Sequence, residues 1–183
     1  METEVKTRGK KAIAEIFEWL ELAAGCIGVL VLIFFFLVKS YTVSGSSMEP
    51  GLVGGYRVFV ASVGRRPDVG DVVVIERETG EEKSLIKRII ATEGQTVDID
   101  QQTGEVTVDG YPAYPVDVDD LYNLRGDVAF PLTVPEGCVF VLGDNRSVSL
   151  DSRYARVGCP EVNEIVGRAV LIYSPLSEIG VID

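Results

Sequence analysis

Thr96-Val97-Asp98-Ile99-Asp100-Gln101-Gln102-Thr103-Gly104-Glu105-Val106-Thr107-Val108-Asp109-Gly110 alternates apolar and polar side chains on either side of a Gln-Thr-Gly turn and closes on an Asp-Gly turn. A two-residue period places the apolar side chains on one face, so the stretch predicts a β-hairpin with one buried side. Short β-branched runs between turn residues recur at Arg57–Val60, Asp71–Glu76, Ser84–Ile90, Val139–Leu142 and Val166–Tyr173. Residues 40–183 show no sustained helical period, and the expectation is a mainly β, antiparallel domain with a folded or barrel-like sheet. Residues 111–135, with Pro112, Pro115, Pro131 and Pro135, read as a loop excursion inside that domain. Asp117, Asp119 and Asp120 in this loop lack the glycine turn and closing glutamate of a calcium loop and read as a solvated acidic surface.

Outside the β-rich part the rules change. Of the 183 residues, the first 39 carry five Lys/Arg and five Glu, so the formal charge of -11 belongs to residues 40–183. An acidic domain is a poor partner for phosphate backbones, which excludes nucleic-acid binding as an expectation. Histidine is absent, which removes Ser-His-Asp and Cys-His catalysis and the commonest ligand of catalytic zinc. Leu22–Val38 is a run of 17 uncharged residues flanked by Trp19, Lys39 and Tyr41. With interfacial aromatics and a snorkelling lysine, that length suits a membrane span. It exceeds the apolar core of a cleaved secretory signal, and no convincing small-x-small site follows it. Four Lys/Arg before the span against one just after it predict a cytoplasmic N-terminus. The expected organisation is a cytoplasmic segment at 1–18, a single transmembrane anchor at 19–39 and an extracytoplasmic domain at 40–183. Cys26 falls in the span; Cys138 and Cys159 fall in the outer domain, where an oxidising compartment would allow a disulfide. No C-x-x-C pair points to a metal or redox site.

Three segments of the outer domain are richer in chemistry than strand connectors need to be. Ser44-Gly45-Ser46-Ser47-Met48-Glu49-Pro50 gathers hydroxyls directly after the anchor. By itself this also suits a flexible juxtamembrane linker. Leu85-Ile86-Lys87-Arg88-Ile89-Ile90 sets two cations in an apolar strand, Lys87 on the face of Leu85 and Ile89, Arg88 on that of Ile86 and Ile90. One cation must therefore face the drier side, and a desolvated lysine can act as a neutral base. By itself the segment also suits an edge strand with solvated cations. Gly143-Asp144-Asn145-Arg146-Ser147-Val148-Ser149-Leu150-Asp151-Ser152-Arg153 follows a strand and is dense in hydroxyls and opposite charges; local pairs Asp144 with Arg146 and Asp151 with Arg153 would account for it structurally. Together the three segments supply a hydroxyl nucleophile, an amine base and hydroxyls to orient the base.

Ser47-Met48-Glu49-Pro50, Lys87-Arg88 forty positions later, and Gly143-Asp144-Asn145-Arg146 running on to Ser149 and Asp151-Ser152-Arg153 closely resemble the bacterial type I signal peptidases, membrane-anchored Ser-Lys proteases that remove signal peptides. Gly70-Asp71-Val72-Val73-Val74 and Val166-Gly167-Arg168-Ala169 to Pro175 extend the likeness, which runs from about Tyr41 to Pro175 and is similar to the single-span Gram-positive form. The resemblance implies that the antiparallel sheet is coiled, with Ser47 as nucleophile, Lys87 as general base, Ser149 as the hydroxyl that orients Lys87, and Asp151 with Arg153 as an ion pair that holds the loop. Gly45 matches a position where some members use a serine side chain at the oxyanion hole, so a hole of backbone groups is implied here. Tyr41, Val43, Met48, Leu52 and Ile86 match the pockets for small P1 and P3 residues. Gly51, Gly55-Tyr56 and Ala91-Thr92-Glu93-Gly94-Gln95 depart from the usual family boxes without removing any of these groups.

The implied activity is a cofactor-free serine endopeptidase that cleaves preproteins after small-x-small sites at a phospholipid membrane and works as a monomer. Eight positions separate Lys39 from Ser47, which limits the nucleophile to about 28 Å beyond the end of the span. Such a reach matches a cleavage site just past a signal peptide's own apolar core. The competing expectations are a self-cleaving Ser-Lys repressor, which would carry a DNA-binding domain in place of the span, and a non-catalytic membrane-tethered β-domain that binds envelope partners.

Overall fold

The computed structural model describes residues 2–62, 66–77, 84–100, 102–113 and 126–182, with side chains except at 2–14, 33, 34 and 36. Asp117, Asp119 and Asp120 lie outside the described residues. The chain divides into two compact units, residues 1–38 and 39–183.

The first unit is one helix, α1, from Glu2 to Leu37. It begins well ahead of the predicted anchor because residues 2–18 are rich in Glu, Lys, Ala and other good helix formers. It ends where Val38-Lys39-Ser40-Tyr41-Thr42 brings β-branched and aromatic residues, and these form strand β1 (Val38–Thr42). Val38 and Lys39, assigned to the anchor from sequence, are therefore strand residues. Among the described residues no helix is both long and apolar enough to cross a membrane. The apolar run Leu22–Val38 includes positions 33, 34 and 36, whose side chains are outside that set.

The second unit is mainly β, as the sequence predicts. Its further strands are β2 (Arg57–Ala61), β3 (Val72–Glu76), β4 (Ser84–Thr92), β5 (Thr96–Ile99), β6 (Val106–Val108), β7 (Tyr111–Pro112), β8 (Leu132–Thr133), β9 (Val139–Leu142), β10 (Ile165–Ser174) and β11 (Gly180–Val181). The larger sheet runs β1-β2-β10-β3-β4-β9, with β11 also on β10; the smaller runs β7-β6-β5-β8. Every pair with a described register is antiparallel. The predicted hairpin is β5–β6, with Val97 opposite Val108 and Ile99 opposite Val106. Besides β11, β10 pairs with β3 through Ile165–Arg168 and with β2 through Arg168–Ser174, with register shifts in both of these pairings. Such shifts bend a strand and increase its twist, so the sheet coils.

Three apolar clusters hold the unit. One, with Val58, Val60, Val72, Val74 and Ala169, lies inside the coil of the larger sheet. A second, with Ile90, Phe140 and Leu142 against Val97, Ile99 and Val106, joins the two sheets. The third packs Val73, Ile75, Leu85, Ile89, Val139 and Val141 under Val157. β4 shows the logic in one strand. Exposed and buried residues alternate at its start, but Ile89, Ile90 and Ala91 are all buried where β9 joins its second edge. A strand covered on both faces reads as a continuous apolar run. Cys26, Cys138 and Cys159 are all free thiols.

Candidate active site

β9 pairs with β4 only from Arg88 onward, so among the described residues Ser84–Lys87 have β3 alone as a strand neighbour. Beside this one-sided stretch lies a cavity of about 210 Å³ lined by Tyr41, Thr42, Val43, Ser44, Ser47, Met48 and Ser84–Lys87. The larger cavity, about 420 Å³, runs along β2, β3 and β10 and contains none of the predicted catalytic residues. Chemistry, not size, therefore selects the smaller one.

Lys87 Nζ donates to Ser47 Oγ at 2.7 Å and to the Ile86 carbonyl at 3.0 Å. The lysine is 3% exposed, on the face it shares with Leu85 and Ile89 as the sequence predicts. Its chain neighbour Arg88 turns the other way, binds both oxygens of Asp144 at 2.9 Å and reaches the Gly70 carbonyl at 2.8 Å. Asp144 thus pairs across the fold with Arg88, not locally with Arg146. A local pair is the simpler reading of the spacing, and it fails because the register brings Arg88 opposite Leu142, next to the start of the loop.

Arg146 instead donates through Nε to the Gly143 carbonyl at 2.9 Å. Burial pushes its guanidinium down to about 10, against the pull of Asp151, so it stays charged at neutral pH. Asp151 and Arg153 form the expected ion pair, 2.8 Å at Nε and 3.0 Å at Nη2, with exposures of 0% and 1%. Arg153 Nη2 also holds the Arg146 and Ser149 carbonyls, and Asp151 Oδ2 accepts from the Gly143 N–H. These bonds fix the loop 143–153 at both ends. The Asn145 N–H then donates to the Ser47 carbonyl at 3.0 Å and ties the loop to the serine segment.

Ser149 is buried at 3% exposure, and among the described residues its Oγ has no hydrogen-bond partner. The orienting bond to Lys87 that the resemblance implies is therefore not made in this state; the Ile86 carbonyl holds the amine. Gly45 has φ +73, a left-handed backbone that glycine adopts without cost. Among the described residues the amides of Gly45 and Ser47 donate no hydrogen bond to the chain. Tyr41, Val43, Met48 and Ile86 line the cavity as expected. Leu52 belongs to the same apolar cluster and bridges to Met48 but sits behind the wall. Thr42, Ser44, Ser84 and Leu85 line it too; the one-sided start of β4 is the signal for the last two, and it appears only once strand order is known.

A profile of the family described as "Signal peptidase, peptidase S26" matches residues 16–174. The chain is 34% identical to a signal peptidase I of Bacillus licheniformis, over 97% of each chain. It is 33% identical to signal peptidase I T of Bacillus subtilis strain 168, over 96% of this chain and 94% of that one. It is 32% identical to signal peptidase IB of Staphylococcus aureus strain COL, over 90% and 92%. A solved signal peptidase I from Enterococcus faecalis V583 superposes with a TM-score of 0.45 at 25% identity, over 57% of this chain and 97% of that one.

Proposed function

Because the chain belongs to the signal peptidase family, peptidase S26, we propose that it is a membrane-bound serine endopeptidase that removes signal peptides from exported preproteins with a Ser47–Lys87 dyad. The observation that carries the residue assignment is the 2.7 Å contact between Lys87 Nζ and Ser47 Oγ beside an open strand edge. The neutral amine is the form of Lys87 that can accept the serine proton. Ser47 Oγ then attacks the scissile carbonyl and forms an acyl-enzyme, and the proton on Lys87 passes to the leaving amine. The Lys87 amine, neutral again, takes a proton from the water that hydrolyses the ester and returns it to Ser47 Oγ as the serine leaves.

The oxyanion is met by the Ser47 amide and the backbone at Gly45, where each well-aimed donor lowers the barrier by about 3 kcal/mol. An extended substrate adds as a strand beside Ser84–Lys87, and alternate side chains enter the wall formed by Tyr41, Val43, Met48 and Ile86. A cavity of about 210 Å³ shared between subsites suits small P1 and P3 residues. Asp151 with Arg153 fixes the loop that carries Ser149, and Ser149 meets Lys87 once substrate displaces the amine from the Ile86 carbonyl. No metal or cofactor enters the reaction, and the chain works as a monomer.

The membrane half of the proposal rests on sequence: the uncharged run Leu22–Val38 with Trp19, Tyr41 and Lys39 at its ends. In this reading the N-terminus is cytoplasmic and residues 40–183 face outward. Carbonate-washed membranes should retain the full chain, and an external protease should reach the second unit but not an N-terminal tag; the converse pattern refutes the topology.

The catalytic half is tested with the full chain in detergent and a preprotein bearing an Ala-x-Ala site, its products mapped by mass spectrometry. Wild type should cut after the second alanine, and Ser47→Ala and Lys87→Ala should each lose about 10³-fold or more. Equal cleavage by either variant would sink the dyad.

A further inference from the structure

Glu76 ends β3 directly opposite Ser84 of β4, and its Oε1 accepts a hydrogen bond from the Tyr41 hydroxyl at 3.2 Å. Tyr41 and Ser84 both line the cavity that contains Ser47 and Lys87. Cross-strand partners share a face, so Glu76 stands with Val74, Ser84 and Ile86. Val74 and Ile86 pack in the cluster of Val43, Met48 and Tyr41, which places this face toward the substrate wall. Along β4 away from Lys87, the apolar wall at Ile86 gives way two residues later to Ser84, and behind it to an exposed carboxylate.

That carboxylate acts on the cleft and is not neutralised by its neighbour. The Tyr41 hydroxyl, at the cleft's edge, has its pKa raised first by burial and then by the negative charge of Glu76. Arg77 alternates to the opposite face, where it is held by Glu164 at 3.3 Å and by the Val157 carbonyl.

We propose that Glu76 reads charge at the far end of the cleft, favouring Lys or Arg at P5 of the substrate and disfavouring Asp or Glu there. The inference rests on the peptidase reading above. An extended chain repeats its inward side chains every second residue, about 6.6 Å apart. With P1 at Ser47 and P3 against Ile86 and Tyr41, the next inward position is P5, beside Ser84 and Glu76. P4 points away and is not read by Glu76. The effect is one of an exposed pair, so it is modest and screened by salt.

The test uses the full chain in detergent and three synthetic preproteins identical except for Lys, Ala or Glu at P5. Wild type should show kcat/KM for Lys over Glu of about 3- to 10-fold at low salt, shrinking at high salt. Glu76→Gln should bring the ratio close to one, and Glu76→Lys should invert it. A wild-type ratio near one, or a ratio that survives in both variants, overturns the inference while the alanine substrate still reports a working peptidase. Failure of wild type to cut any of the three overturns the peptidase reading, and this inference with it.

Discussion

Gly143 and Ser149 occupy adjoining space: a Cβ built on Gly143 would lie 2.2 Å from Ser149 Oγ and 2.5 Å from the Ser47 carbonyl oxygen. The glycine is thus the point where the strand β9, the loop 143–153 and the serine segment approach most closely. Neither obstacle can retreat cheaply, since the Ser47 carbonyl is fixed by the Asn145 N–H and Ser149 is sealed in. Gly143→Ala should destabilise the fold by about 1–3 kcal/mol and displace Ser47 from Lys87. Urea unfolding and peptide cleavage measured on the same preparation check both effects; full activity at wild-type stability would refute the close packing.

Ser149→Ala separates orientation from stability. Among the described residues the Oγ has no hydrogen-bond partner, so its removal leaves nothing newly unpaired and should cost no stability, or gain up to about 1 kcal/mol. Activity should nevertheless fall by 10-fold or more, on the order of a lost orienting hydrogen bond. The paired observation of an unchanged melting temperature and a reduced kcat is what distinguishes an orienting hydroxyl from packing.

Asp151→Ala should act mainly on the fold. It leaves the guanidinium of Arg153, 1% exposed, without its carboxylate and leaves the Gly143 N–H without an acceptor. Breaking a buried pair from one side costs about 3–5 kcal/mol. Loss of a cooperative thermal transition, or a large fall in its midpoint, is expected, and a drop below 1 kcal/mol in chemical unfolding would contradict it.

The thiol of Cys159 should be slow to react while the protein is folded. Burial, with a smaller contribution from the Cys138 thiol, pushes its pKa up to about 11 from an ordinary value of 9.0. The folded state therefore keeps a proton that the unfolded state loses first. Stability from this group is fully present below about pH 9 and is lost as pH rises towards 11. Alkylation with iodoacetamide at pH 8 should be markedly slower at Cys159 in native protein than after denaturation, and Cys159→Ala should flatten the decline in melting temperature between pH 9 and 11.

Much of the fold was legible because β-strands announce themselves locally. The alternation through Val97, Ile99, Val106 and Val108 needed only a turn and a two-residue period, and it became β5–β6. Strand β1 is concealed because Val38 closes the apolar run and Lys39 reads as its interfacial flank. Strands β7 and β8 are two residues each, too short to carry a period. The placement of β10 between β2 and β3 depends on pairings across about a hundred residues, which no local pattern encodes.

The candidate site was legible in a different way. Ser47 and Lys87 stand out in their motifs, and the structure brings them together at 2.7 Å; the face of Lys87 follows from strand parity alone. The partner of Asp144 did not, since Arg88 lies 56 positions away and only the β4–β9 register makes them neighbours. The unpartnered Ser149 Oγ was equally out of reach, because a motif records which hydroxyl is present and not the state in which it is used.

The early end of β9 leaves Ser84–Lys87 of β4 with a ladder on one side only. Main-chain hydrogen bonds are the same for every sequence, so a vacancy of this kind recognises an extended backbone and is indifferent to most of what hangs from it. In the proposed mode of binding, discrimination comes by exclusion, from side chains too bulky for the wall at Val43, Met48 and Ile86. A single catalyst built this way would serve a large and unrelated clientele, and the mature chain, which begins beyond P1 and leaves the lane to the cleaved segment, would have little reason to stay.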